Sequence, residues 1–166
     1  MKNIVLIIFC TLFVNSVALA APSTLSYDIS GGSGSRNGNS YNEIHLGLNW
    51  YPAEWLNWRN SLFTQFGSQM NTIYGIDTAA LLEYTAYTQS RDLGIELYVG
   101  PGLRFANENS NAVFGKAGLT LALGGLRLGG SVQHNHYFSS RTDKDNYSLP
   151  KDETQYFITI SGGGAL

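Results

Sequence analysis

Hydrophobic residues recur at every second position along most of this chain. In the stretch Ile44–Tyr51, IHLGLNWY, the side chains of Ile44, Leu46, Leu48 and Trp50 point to one side of an extended strand. His45, Gly47, Asn49 and Tyr51 point to the other. Eight stretches carry this period, roughly 24–31, 41–51, 56–67, 73–86, 92–104, 112–123, 126–138 and 154–164. Most approach or exceed the nine to eleven residues, or about that, with which a tilted strand crosses a bilayer. Average globular strands are shorter, at about five or six residues.

The segments between them predict a long Gly/Ser/Asn loop at 31–40, a tight turn at 52–55, short connections at 69–72 and 89–91, and a longer polar loop at 106–111. Gly124-Gly125 reads as a two-residue hairpin turn, and 139–153 as the longest and most charged loop. Alternating long and short connections are the mark of a meander barrel in an outer membrane. The expected fold class is therefore all-β, an eight-stranded antiparallel up-and-down transmembrane β-barrel built from residues 21–166.

Each stretch has one apolar face. The charges within the eight spans are Asp28, Glu43, Arg59, Asp77, Glu83, Asp92, Glu96, Arg104, Lys116 and Arg127, and every one falls on the opposite face. His45, Asn49, Gln65 and Gln133 join them. A Lys or Arg facing lipid near the bilayer centre costs about 2–4 kcal/mol, which explains so clean a partition. A soluble ligand-binding barrel would alternate as well, with its apolar face inward. Two features favour apolar-out. Gly crowds the polar face, at Gly47, Gly94, Gly100, Gly102, Gly118 and Gly129, where small residues leave room for large polar ones. The apolar-face aromatics also sort by height. Tyr27, Trp50, Trp58 and Tyr84 lie toward one end, and Phe66, Tyr74, Phe138 and Tyr156 toward the other. Two such rows are expected at the two membrane interfaces. An eight-stranded barrel has room inside only for side chains, so the paired charges are read as its core and not as a pore.

Composition changes this picture at the N-terminus. Lys2, the apolar run Ile4–Val14 and the small-x-small site Ala18-Leu19-Ala20 predict a cleaved signal peptide over 1–20. The single cysteine, Cys10, lies inside it, which removes disulfides and thiol chemistry from the mature chain. The formal charge of −2 becomes −3 once Lys2 is gone, with no run of Lys or Arg, and this argues against nucleic acid as a partner. GGSGSRNG, Gly31–Gly38, lacks the Lys-Ser/Thr ending and following helix of a phosphate loop and reads as a flexible loop, so no cofactor is expected.

With these strands and aromatic rows the chain resembles the small eight-stranded outer-membrane barrels of the outer-membrane protein A and X type. The resemblance implies a bacterial outer-membrane location, reached after signal-peptide cleavage, with insertion by the outer-membrane assembly machinery. It implies the lipid bilayer and lipopolysaccharide as surroundings. It leaves extracellular loops, 31–40 and 139–153 foremost, as the surface for an unidentified partner.

QHNHYFSS, Gln133–Ser140, holds the candidate chemistry. His134 and His136 interrupt the apolar face, and Phe138 and Ser140 follow on that face. The stretch is similar to the lipid A deacylases, which carry a His-x-Ser pair on a lipid-facing strand with an acid nearby. That similarity implies His136 as base and a serine as nucleophile. Phe138 stands where that serine would be. Ser139 is on the opposite face, and Ser140 lies about 13 Å along a straight strand. Asp143 and Asp145 in the following loop could orient the base only once that loop folds back. The two histidines also offer metal ligands at i and i+2, with no third within sequence reach, which falls short of a metal site. Three readings stay open: a structural or surface-interaction barrel in the lead, an outer-membrane acyl hydrolase, and a soluble periplasmic ligand-binding barrel.

Overall fold

A computed structural model describes residues 24–36, 38–68, 70–89, 93–123 and 126–162. The expected signal peptide, Asp92 and the Gly124-Gly125 turn lie outside the described residues. Eight strands follow in order: β1 (Thr24–Arg36), β2 (Asn39–Ala53), β3 (Leu56–Phe66), β4 (Ile73–Tyr87), β5 (Leu93–Ala106), β6 (Ala112–Leu123), β7 (Leu126–Tyr137) and β8 (Asp152–Gly162). Each pairs antiparallel with its sequence neighbours, and β8 returns to β1 to close the barrel. Closure leaves no unpaired strand edge. A single irregularity, between Trp50 and Ala53, interrupts the β2–β3 register.

The faces are inverted relative to a soluble protein. Leu46, Leu97 and Ile158 lie on the outside, at 56%, 46% and 71% exposure. Glu43, Asp77, Glu96 and Arg104 lie within, all at 6% or below. The fully enclosed side chains include Arg104, His45, Gln65, Gln133, Gln155, Glu43 and Asn135. A polar interior is stable only when its groups are paired, and closure of eight strands brings those groups within reach of one another. Two small apolar clusters sit among them: Tyr41, Phe63, Met70 and Ile73 near one end, and Ala79, Leu81 and Phe114 lower down.

One connection differs from the expectation. Residues 31–40 are not a long loop. β1 and β2 run on, with Gly31↔Ile44, Ser33↔Asn42 and Arg36↔Asn39 in register. The strands leave only positions 37–38 between them, and Gly38 has a φ of 81° that glycine adopts freely. The Gly/Ser composition imitates a flexible loop, but the glycines answer a volume requirement. A Cβ on Gly34 would overlap the Tyr41 ring, and one on Gly32 the Phe157 ring. The remaining connections are 54–55, 67–72, 88–92, 107–111, 124–125 and 138–151. Connections 37–38, 67–72, 107–111 and 138–151 share one end, here the loop end, and the others share the turn end.

The same volume argument makes a prediction. At Gly102 a Cβ would meet the Phe114 ring and the Thr78 carbonyl oxygen. Gly102→Leu is expected to lower stability by about 1–3 kcal/mol, since an enclosed site yields only by strain. The measurement is the temperature at which the folded, fast-migrating band on an unheated gel gives way to the unfolded one. An unchanged temperature would contradict the packing described.

Candidate functional site

Among the described residues, six acids share the interior with six cations. Asp28, Glu43, Asp77, Glu83, Glu96 and Glu153 face Arg36, Arg59, Arg104, Lys116, Arg127 and Arg141. They form tiers along the axis because inward positions two residues apart on each strand stack at successive heights.

Nearest the turn end, Arg127 reaches Glu96 at 3.1 Å, Tyr87 donates to Glu96, and Asn57 donates to Glu83 at 3.3 Å. Above them, Arg59 grips Asp28 in a two-point contact of 2.6 and 3.0 Å, and Asn49 donates to the same carboxylate at 2.8 Å. The central tier is denser. Arg104 binds Asp77 through two bonds of 2.7 and 2.8 Å and Glu43 at 2.5 Å. Gln65 and Gln155 each donate to Glu43 at 2.7 Å, and Gln133 donates to Asp77 at 3.1 Å. His45 sits 2.5 Å from Glu43, while the Arg104 guanidinium lies 4.0 Å from the Phe63 ring centre. At the loop end Glu153 forms an ion pair with Arg36 at 2.5 Å and accepts from Arg141 at 3.0 Å.

Glu43, His45 and Asp77 bring three metal-ligand atoms close together. Arg104 already supplies the cation between the two carboxylates, so the trio is the ion-paired core and not a vacant metal site. Outside the ion pairs of the described residues stand Glu83, which accepts from the neutral Asn57, and Lys116. The Lys116 ammonium is buried without a hydrogen-bond partner and faces the Phe157 ring at 4.8 Å. Two cavities, of about 40 and 20 Å³, lie on either side of the central tier and share no lining residue. Each has room for a few waters at most.

All nine lumen residues read from the sequence, Asp28, Glu43, Arg59, Asp77, Glu83, Glu96, Arg104, Lys116 and Arg127, are directed inward. Sequence reasoning missed Arg36, Arg141 and Glu153, because it placed 31–40 and 139–153 in loops. Arg36 keeps the inward parity of Asp28 and Ser30, a signal the Gly/Ser composition hid. Arg141 has no such signal. The 138–151 connection folds over the mouth, its backbone held by the Thr142↔Ser148 bridge and by Asp143, which accepts from the amides of Asp145 and Tyr147. Arg141 then drops inward, stacks 3.2 Å from the Tyr137 ring centre and bonds the Pro150 carbonyl at 2.7 Å.

The aromatics are directed outward as two groups. Trp50 and Trp58 are register partners near the turn end, with ring centres 6.0 Å apart, and Tyr84 is exposed at that end. Tyr27 pairs with Leu48, one outward step nearer the middle. Phe66, Tyr74, Phe138 and Tyr156 are exposed toward the loop end. Phe105 belongs with this second group and was missed only because the expected strand stopped at 104.

His134 and His136 also face outward. His134 pairs with Thr154 and His136 with Asp152 across β7 and β8. His136 Nδ1 lies 2.7 Å from Asp152. Ser140 follows the bend after β7 and makes no hydrogen bond to either histidine among the described residues. Asp152, at the start of β8, is thus the acid beside the pair, in place of the Asp143 and Asp145 expected from sequence.

No protein family and no curated protein sequence matches the chain. Among solved structures, the chain is similar to the crystal structure of Neisserial surface protein A, with a TM-score of 0.59 at 11% identity over 88% of this chain and 99% of that one. At that identity the likeness is one of fold: a closed eight-stranded antiparallel barrel.

Proposed function

We propose that this chain is a bacterial outer-membrane β-barrel that does not conduct, and that it acts as a scaffold presenting its loop end and outer wall to the cell exterior. The observation that carries the reading is the inversion of polarity. Ion pairs fill the interior, and a belt rich in Leu, Ile and Val, bordered by Trp, Tyr and Phe, coats the outside. Exposed apolar area on that scale aggregates in water and is covered by a bilayer in a membrane. The similar barrel is by name a surface protein, which agrees with this placement.

The partners follow from the reading: the lipid bilayer and lipopolysaccharide around the belt, and the outer-membrane assembly machinery for insertion. The 138–151 connection, with Tyr147 exposed at 67%, is the surface offered to an extracellular partner. The 31–40 segment offers much less, because β1 extends to Arg36 and β2 begins at Asn39.

The test has two parts. The expressed chain is expected in the outer-membrane fraction, resistant to alkaline extraction and heat-modifiable on gels. Recovery as a soluble periplasmic protein would end the proposal. Liposomes carrying the folded barrel are expected to remain impermeable to small sugars, because the central tier seals the axis. Swelling at a rate typical of porins would refute the closed lumen.

A further inference from the structure

β7 and β8 place four polar side chains in a square on the outer wall near the loop end. His134 stands opposite Thr154, and His136 opposite Asp152. Asp152 Oδ1 is 2.7 Å from His136 Nδ1 and 3.8 Å from His134 Nε2. His134 directs its other ring nitrogen, Nδ1, to Thr154 Oγ1 at 3.0 Å. We infer that His134, His136 and Asp152 form a binding site for a divalent metal ion of the zinc class, with the fourth position left to water.

The chemistry of the donors fits. Imidazole nitrogen and carboxylate oxygen are ordinary zinc ligands, and three protein ligands plus one water is the open form of the tetrahedral site. Strand geometry fits as well. Residues two apart on one strand share a face at about 6.6 Å, a span that two imidazole rings close by converging on a point between them. A cross-strand partner sits about 5 Å away and supplies the third ligand from the side. Donor atoms on a tetrahedral zinc are separated by about 3.4 Å, given metal–ligand bonds of about 2.0–2.1 Å. Asp152 stands 3.8 and 2.7 Å from the two histidines, near that value, and the three donors do not all lie within 4.8 Å of one another, so the two imidazoles must swing together to share an ion. Those side chains have room to turn, at 60%, 54% and 59% exposure.

Thr154 adds an independent feature. A ligating histidine works best when its second nitrogen is held by another group, which fixes tautomer and ring orientation. The bond between His134 Nδ1 and Thr154 does this and leaves Nε2 toward Asp152. The sequence shows only a His-x-His pair. The third ligand arrives from a residue sixteen positions away, through the β7–β8 pairing. The buried Glu43–His45–Asp77 trio differs, since Arg104 fills it. The outer square shows no such cation among the described residues.

The folded full chain in detergent is titrated with Zn²⁺ by calorimetry, and with Co²⁺ by visible absorption, which is intense for tetrahedral coordination. One ion per chain with micromolar affinity is expected. His134→Ala, His136→Ala and Asp152→Ala should each weaken binding about 100-fold or abolish the Co²⁺ band. Thr154→Val should weaken it about 10-fold, as loss of an outer-shell partner does. Heat-modifiable mobility establishes that each variant is folded, and the exposed positions make that the expected result. Absence of saturable binding by the wild type would overturn the inference. So would binding that survives all three ligand substitutions, or that is lost in Glu43→Gln but not in His136→Ala. None of these outcomes depends on whether the barrel resides in the outer membrane.

Discussion

Arg104→Ala is expected to destabilise the folded barrel by about 3–5 kcal/mol, the cost of leaving buried charges without their partner. Arg104 is 1% exposed and is the shared cation of Glu43 and Asp77. Its removal strands two carboxylates in an enclosed interior. The glutamines that also donate to them are neutral and cannot replace the charge. A compensated triple variant, Arg104→Met with Glu43→Gln and Asp77→Asn, should recover most of the loss, because replacing every member of a buried charge cluster is often neutral. Urea titration in detergent, followed by gel mobility or tryptophan fluorescence, measures both. Equal stability of Arg104→Ala and the wild type would mean that the central tier is not closed as described.

The second large effect concerns the outer face. Leu46→Arg is expected to cost about 2–4 kcal/mol of folding stability in lipid, while Asn42→Arg costs about 0–1 kcal/mol. Both residues are exposed on the same outward row of β2. Leu46 lies midway between Asn42 and Trp50, at the height of the belt's centre, and Asn42 lies at its border toward the loop end. Only a bilayer makes the two sites unequal, since in water both arginines would be solvated. Reversible unfolding from liposomes reads the difference. Equal, small effects at the two positions would show that no lipid surrounds the belt.

The two predictions probe opposite faces of one constraint. An eight-stranded barrel is too narrow to hold a solvent column along its length, so the interior must be filled with side chains. When those side chains are ionised, each has to find its complement within the cylinder. Arg59 with Asp28, Arg104 with Asp77 and Glu43, and Arg127 with Glu96 meet that requirement. Lys116 does so through the face of Phe157 instead of a carboxylate. The outer surface carries no comparable demand except at β7 and β8, where His134, His136, Asp152 and Thr154 interrupt the apolar belt together.

The alternation of apolar and polar residues determined the strand count and which residues share a face, while the glycines of the polar face and the two aromatic rows favoured charges turned inward. These properties are local: the pleat fixes side-chain direction at every position, and one face of each strand is legible from six or seven residues. Segment 31–40 was misread for a related reason. Its Gly and Ser imitate a freely moving loop, whereas Gly34 and Gly32 make space for Tyr41 and Phe157, a requirement imposed by other parts of the chain. Which acid pairs with which base, how Arg141 enters the mouth from the 138–151 connection, and how Asp152 comes to stand beside His136 were decided by the tertiary structure alone. Those pairings depend on register between strands and on closure between β1 and β8, and a single strand carries no record of the neighbour it will meet.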